Sequence, residues 1–393
     1  MLLLDVSHTS HTAANTGIQR VCRKLHAELV DRGLAVGIVY DPYARHWRKL
    51  DTEERRLMAF DAEDNLGTKR KASWSKAQRW RGRWWRVWRA HPLRITGVYD
   101  SLIAPEFFSP TVYAAYSQLC GISGPQVAVF HDMIALHLPQ FAPAKTLLRY
   151  PEYLRELARF DGIAAVSEFS RADMVSWWSK NNVRGPSSTI TVHLASDLVE
   201  SPPVSATCRS GSKKLLCVGS LEGRKNHVSL LDAAELLWNK GMDFELHLVG
   251  MVNRETGAAA LSKVHALQAA KRPLYYHGAV TDASLARLYR ESWCTIQASL
   301  MEGFGLPIIE SLRHGVPCIT TPGGSLGEVA RGGGCLLLEN ATVDTIAGGI
   351  RRLSTEPDLY DRLRREISLR SFRSWWDYAQ DISQYCYSLK PSA

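Results

Sequence analysis

The chain has 393 residues, long for one domain and suited to two. Its 45% hydrophobic content is ordinary for a globular protein, and no apolar run approaches the length that crosses a bilayer. The net charge of +9 comes from one place: residues 65–99 hold ten Lys and Arg and no acid, and without them 38 bases face 39 acids. That excludes a chain-wide nucleic-acid surface and points to one local anionic partner.

The first residues, "MLLLDVSHTS", have no basic start, and Asp5 interrupts the apolar run, so they read as a buried strand and not as a signal peptide. "AVGIVY", "QVAVF", "GIAAV" and "TITVH" follow as strands separated by helical patterns. A Ser- and Pro-rich stretch at 196–214 reads as a linker. Beyond it the alternation resumes with "KLLCVG", "FELHLVG", "PLYYHG", "WCTIQ", "PCIT" and "CLLLE". From Thr342 the pattern is helical, ending in the amphipathic "SWWDYAQDISQYCYSL". This is α/β architecture with parallel sheets, in two Rossmann-like halves. The eight cysteines are scattered and none forms CxxC, which suits buried free thiols in a reducing cytosol, with zinc or disulfides as the alternatives.

Two stretches carry chemistry. In 299–319, "SLMEGFGLPIIESLRHGVPCI", a strand runs into a glycine loop, and Pro307 suits the first turn of a helix. The glycines admit a ligand close to the backbone, and the helix start offers free N–H groups and a positive dipole end for a diphosphate. A diphosphate repels Glu302 and Glu310, so these acids suit sugar hydroxyls beside it. The alternative is a capped surface helix with solvated acids. In 214–237, a second strand–loop–helix places Arg224 and Lys225 where they stabilise a leaving diphosphate, or else form an exposed solvated pair. His131, closing "QVAVF", reads alone as a structural histidine.

Together these motifs, with "HLVG", "HGAVTDASLARLYRES", "TGIQR", "FHD" and "VSEFSR", resemble the retaining glycosyltransferases of family 4, which have the GT-B fold. The resemblance covers the second half almost end to end and the first half thinly. It implies two domains facing a cleft: residues 1–200 for the acceptor, 201–372 for the nucleotide sugar, and a last helix, 373–393, returning to the first domain. It implies catalytic roles for His131, Arg224, Lys225 and Glu302. His131 and Glu302 would contact the donor sugar, and Arg224 and Lys225 would hold the diphosphate. Gly17, Gly219, Gly303, Phe304, Gly305 and Leu306 would border the donor, with Glu310 on the ribose. The first loop, "NTGIQR", has one glycine where the family commonly has two, and "TTPGGSLGEVARGGG" is richer in glycine than expected, with Ser325 and Leu326 as candidates there. No DxD triplet occurs, so the cations would be Arg224, Lys225 and a helix dipole, with neither metal nor cofactor. No GxGxxG follows the first strand.

The segment 69–94, "KRKASWSKAQRWRGRWWRVWRAHPLR", holds five of the twelve tryptophans. At about 100° per residue Trp80, Trp84, Trp88, Trp74, Trp85, Ala77 and Val87 share one side of a helix. Arg89, Arg86, Arg79, Arg83 and Lys76 take the other, with only Arg81 intruding. Such a helix suits an anionic membrane interface. The rival readings are tryptophans packed on the domain or on a second subunit, and nucleic-acid binding. Arg20, Trp80, Arg83, Trp84 and Trp88 are the candidates for acceptor and membrane contact.

The expectation is a metal-independent enzyme, cytoplasmic and peripheral at the inner face of the membrane. It would move a sugar, mannose favoured and GDP-mannose the leading donor, to a lipid-linked or polysaccharide acceptor. Its rivals are a sugar-nucleotide epimerase or hydrolase of the same fold and a non-catalytic membrane-docking relic. The sequence sets no oligomeric state.

Overall fold

The computed structural model describes residues 1–14, 16–59, 73–88, 92–119, 121–196 and 213–390. The inner part of the expected linker lies outside these residues, as do 69–72 and 89–91 of the basic segment, Arg89 among them, and Cys120 and Cys208. The other six cysteines are free thiols, five of them buried.

Two sheets organise the chain. The first contains β1 (Leu2–Asp5), β2 (Ala35–Asp41), β3 (His46–Lys49), β4 (Ser101–Ala104), β5 (Gln126–Phe130), β6 (Gly162–Ala165) and β7 (Ser188–Thr191), in the order β3-β2-β1-β4-β5-β6-β7. All pairs are parallel except β2–β3, an antiparallel edge. The second contains β8 (Lys214–Val218), β9 (Glu245–Val249), β10 (Leu274–Tyr276), β11 (Cys294–Gln297), β12 (Cys318–Thr320) and β13 (Cys335–Leu337). Its order, β10-β9-β8-β11-β12-β13, is parallel throughout. Central strands such as β1 and β4 are buried along their whole length. Parallel strands covered on both faces read as continuous apolar runs for that reason. Both sheets reverse their strand order beside the first strand of the domain, between β1 and β4 and between β8 and β11. Ligands of open α/β sheets collect at such points, at the carboxyl ends of the strands.

The domains are not independent. One apolar cluster contains Leu4, Val21 and Val129 of the first, Phe304, Ile308 and Leu312 of the second, and Tyr378, Ile382 and Cys386 of the last helix, Trp375–Ser388. That helix packs on Gly17–Val30, and its Tyr385 hydroxyl donates to the Ser188 carbonyl at 2.9 Å. Among the described residues no helix is long and apolar enough to cross a membrane.

The basic helix spans Lys76–Trp88. The structure divides the tryptophan side expected from the sequence. Gln78, Gly82 and Trp85 are buried, and Trp74 stacks on His11 at 4.0 Å. Gly82 sets the packed side, because a Cβ there would lie 2.8 Å from Cβ of Tyr43. Arg81 is drawn to this side by its ion pair with Asp51. Trp80, Trp84, Val87 and Trp88 point away and stay 72%, 46%, 75% and 67% exposed.

Candidate functional site

The loops after β8 and β11 meet at the switch point of the second sheet. After β8 the chain makes a short turn, Gly223–Lys225, then passes through left-handed Asn226 into the helix His227–Asn239. After β11 it runs through 298–305 into the helix Leu306–Arg313, with Pro307 in the first turn. The backbone N–H of Leu300 donates to the Arg224 carbonyl at 2.8 Å and joins the two loops.

Arg224, Lys225 and Glu302 come together there. Arg224 Nη1 lies 2.8 Å from Glu302 Oε2 and Lys225 Nζ 2.5 Å from Oε1. Ser299 donates to Oε1 at 2.7 Å, and Glu222 takes the other Arg224 nitrogen at 2.8 Å. Burial works to raise the Glu302 carboxyl, but Arg224 and Lys225 outweigh it and hold the group down at about 2. Burial likewise opposes the Arg224 charge, and Glu302 and Glu222 overcome it and raise that group. The result is a compact anion–cation cluster in which Glu302 and Arg224 each favour the other's charge.

The first domain closes the other side. His131 and Asp132 follow β5. His131 Nε2 lies 2.8 Å from the Pro105 carbonyl, which only accepts, so Nε2 carries the proton. Burial lowers the ring's affinity for a second proton and keeps it neutral. Burial raises the Asp132 carboxyl, with Arg224 pulling against it. Gly303 is needed for this approach: a Cβ there would sit 2.8 Å from the His131 carbonyl and 2.9 Å from Cβ of Asp132. The Gly303 carbonyl accepts from Ser167 Oγ at 2.8 Å, across the domain boundary.

Glu310 sits one helical turn in. It accepts from the Tyr289 hydroxyl at 2.8 Å and pairs with Arg20 of the first domain. Arg20, expected on the acceptor side, therefore lies against a residue expected to hold the donor. Gly17 opens the helix Gly17–Val30 behind a Thr16–Gln19 capping box, and a Cβ there would meet nothing within 4 Å. Gly219 lies beside the Lys225 side chain, and Gly305 starts the helix Leu306–Arg313 with a φ of +106°. Phe304 is buried in the apolar cluster shared by the domains, and Leu306 packs against it. These two therefore belong to the core that holds the loop.

The glycine-rich segment after β12 also has a place. Gly324 bridges to Glu302, and Ser325 donates to the Glu302 carbonyl through both N–H and Oγ at 3.1 Å. Ser325 and Leu326 are buried. Sequence reasoning missed Glu222, Ser299, Ser167 and Tyr289. Tyr289 lies in "ARLYRES" and Ser167 in "VSEFSR", both motifs already marked, but nothing in one sequence distinguishes their inward-facing positions. It also missed Glu328, which accepts from the backbone N–H groups of Glu168 and Phe169 at 2.9 and 3.1 Å and from His193 at 2.6 Å, pinning the second domain to a helix start of the first.

Two sheet domains joined by a crossing last helix, with this cluster between them, define a GT-B fold. Residues 205–369 match the family model described as glycosyl transferases group 1. The chain is similar to the serotype-specific mannosyltransferase WbdA of Escherichia coli, 27% identical over 341 residues. That match covers 81% of this chain and 38% of the relative, so the chain spans about two fifths of that protein's length. It is also similar to the O-antigen chain mannosyltransferase B of Escherichia coli, 31% identical over 253 residues, 62% of this chain and 63% of that one. Among solved structures, Alr3699/HepE of Anabaena in complex with UDP-glucose superposes with a TM-score of 0.68 at 17% identity over 99% of both chains. Sucrose-phosphate synthase of Thermosynechococcus elongatus superposes with a TM-score of 0.66 at 15% identity over 98% of both. These structural likenesses establish the fold.

Proposed function

We propose that the protein is a retaining glycosyltransferase that moves mannose from GDP-mannose to a lipid-linked or polysaccharide acceptor. The observation that carries this reading is the cluster at the switch point of buried Glu302 with half-buried Arg224 and Lys225, closed by His131 from the other domain. A diphosphate entering there would take Arg224 and Lys225 from Glu302. The freed carboxylate then accepts from donor-sugar hydroxyls. As the bond to the anomeric carbon breaks, charge grows on the leaving diphosphate, and the two cations, placed beforehand, stabilise that state more than the ground state. With retention, the leaving diphosphate helps take the acceptor proton, so no separate protein base is needed. Neutral His131, with its proton on Nε2, has Nδ1 as an acceptor for a sugar hydroxyl near the anomeric centre. Glu310 exchanges Arg20 for ribose hydroxyls, and Gly17 leaves room for the phosphates. The mannose donor is supported by the similarity to the two mannosyltransferases. Because the protein supplies its own cations, the reaction needs no metal.

The exposed face of Trp80, Trp84 and Trp88, flanked by Arg79, Arg83 and Arg86, supports docking on the anionic inner surface of the cytoplasmic membrane, where a lipid-linked acceptor would be met.

Two variants test the donor site. Glu310→Ala is expected to weaken GDP binding about tenfold, the cost of charge-assisted hydrogen bonds. Arg224→Ala is expected to slow transfer about a hundredfold with a smaller change in donor KM. Full activity and full GDP affinity in both variants would contradict this placement.

A further inference from the structure

The segment 131–141 of the first domain lies across both donor loops of the second. It begins with His131 and Asp132 at the end of β5, turns through the short helix Ile134–His137 and ends in the turn Pro139–Phe141. At its start, Asp132 packs on the loop after β11: a Cβ at Gly303 would lie 2.9 Å from both Cβ and Oδ2 of Asp132. At its end, Phe141 packs on the turn after β8: a Cβ at Gly223 would lie 2.2 Å from Cδ1 and Cε1 of the Phe141 ring. Each donor loop therefore presents a bare glycine backbone to the same segment.

The segment is fixed to its own domain. Ser170 Oγ donates to the His131 carbonyl at 2.8 Å, and the Tyr150 hydroxyl donates to the Asp132 carbonyl. His137 Nε2 lies 2.7 Å from Asp173 Oδ2 on the helix Glu168–Lys180. Phe141 is different. Its ring is partly exposed, and among the described residues it joins none of the apolar clusters that fill the domains. An aromatic ring is a large apolar surface that ordinarily goes into a core; here it lies on the Gly223 backbone. The turn beneath it, Gly223–Lys225, carries both cations of the donor cluster. Its other supports come from the second domain: the Gly223 N–H donates to Thr256 Oγ1 at 3.3 Å, and the Arg224 carbonyl accepts from Leu300.

We propose that Phe141 is a positioning residue for Arg224 and Lys225, setting from the opposite domain the turn that carries them. This rests on the donor-site reading above. The two cations act on charge that develops as the diphosphate leaves, so their value depends on where they stand; a misplacement of about 1 Å can cost about a hundredfold in rate. Phe141 has no polar side-chain atom with which to hold a diphosphate. Its influence on the reaction therefore passes through the turn. The same segment carries His131, so a placement of the domains that brings His131 to the sugar also brings the ring onto Gly223. Glycine at 223 is what admits the ring, because any side chain there would push it off the turn.

The test compares Phe141→Ala, Phe141→Tyr, Gly223→Ala and the double variant of Gly223→Ala with Phe141→Ala. Four quantities are read: kcat with GDP-mannose and a mannoside acceptor, GDP Kd, melting temperature, and amide hydrogen exchange in 221–226. Phe141→Ala is expected to lower kcat about tenfold or more, with GDP Kd within about threefold and an unchanged melting temperature. It should also speed exchange in 221–226 and leave β8 as it was. Phe141→Tyr keeps the ring at a partly exposed position and should restore kcat. Gly223→Ala should slow transfer by itself but add little to Phe141→Ala, because the clash needs both partners. Additive losses in the double variant, equal losses of kcat and GDP affinity in Phe141→Ala, or unchanged kcat and exchange in that variant would overturn the proposal. Failure of the unaltered protein to bind GDP would instead overturn the donor-site reading, and exchange in 221–226 would still decide whether Phe141 holds the turn.

Discussion

Glu106 and Glu302 are both buried glutamates with opposite fates. Glu302 has two cations within hydrogen-bond distance and stays ionised; Glu106 has only neutral donors and a neighbouring Asp5. Burial, reinforced by the Asp5 charge, pushes the Glu106 carboxyl up to about 8 against the bonds from Thr9 and His8. An unfolded glutamate loses its proton near 4.5. Between those values the folded chain holds a proton that the unfolded chain has lost, so this group makes stability fall as pH rises through the window. The histidines His26 and His227, kept neutral chiefly by burial, act in the opposite sense below about pH 6.5. The interval pH 6.5 to 8 therefore lies above the histidine effect, and there Glu106 accounts for a loss of at most about 2 kcal/mol. Thermal unfolding across that interval should show a falling midpoint in the unaltered protein and a flatter one in Glu106→Gln. Parallel curves would contradict the assignment. None of this was legible in "LIAPEFF": burial of an acid depends on the loop after β1 folding over it, which one sequence does not state. Glu302 was legible because its glycine-flanked loop and the paired bases of 224–225 each carry a local pattern, and the fold brings the two patterns together.

The helix Lys76–Trp88 illustrates the same limit for an element. Its amphipathicity was readable from spacing, but an isolated helix does not say which part of an aromatic side packs on its own domain. Trp74 and Trp85 went inward, beside buried Arg48 with its ion pairs to Asp41 and Glu54. Trp80, Trp84 and Trp88 stayed outside. Gly82 was the available signal, a small residue where the helix approaches Tyr43. The strands were legible where an apolar run stood out between turn residues, down to the three residues of β10, β12 and β13. β3 was not, because "HWRK" is a polar edge strand without such a run, and "SLIA" of β4 was also missed. For the helix, the expected outcome is co-sedimentation with anionic liposomes. Replacing Trp80, Trp84 and Trp88 with Ala should reduce binding at every salt concentration. Replacing Arg79, Arg83 and Arg86 with Gln should remove mainly the part that fades as salt rises. Protein that ignores anionic liposomes at low salt would overturn membrane docking.

At the scale of the molecule, two parallel sheets place their switch points against one another, and a shared apolar cluster with the last helix holds them there. Arg224, Lys225 and Glu302 come from the second domain; His131 and Arg20 come from the first. The interdomain bonds of Ser167 with Gly303, of Glu328 with the helix start at Glu168 and of Arg20 with Glu310 join the two sides around this cluster. The central claim is transfer of a sugar with retention by a site whose only cations are its own. The most direct measurement is NMR analysis of the products from GDP-mannose and a mannoside acceptor, with EDTA present throughout. The account predicts a new α-mannosidic bond and stoichiometric GDP, formed only when acceptor is supplied. Free or epimerised sugar without acceptor, a β-linked product, or activity that vanishes in EDTA and returns with magnesium or manganese would contradict it.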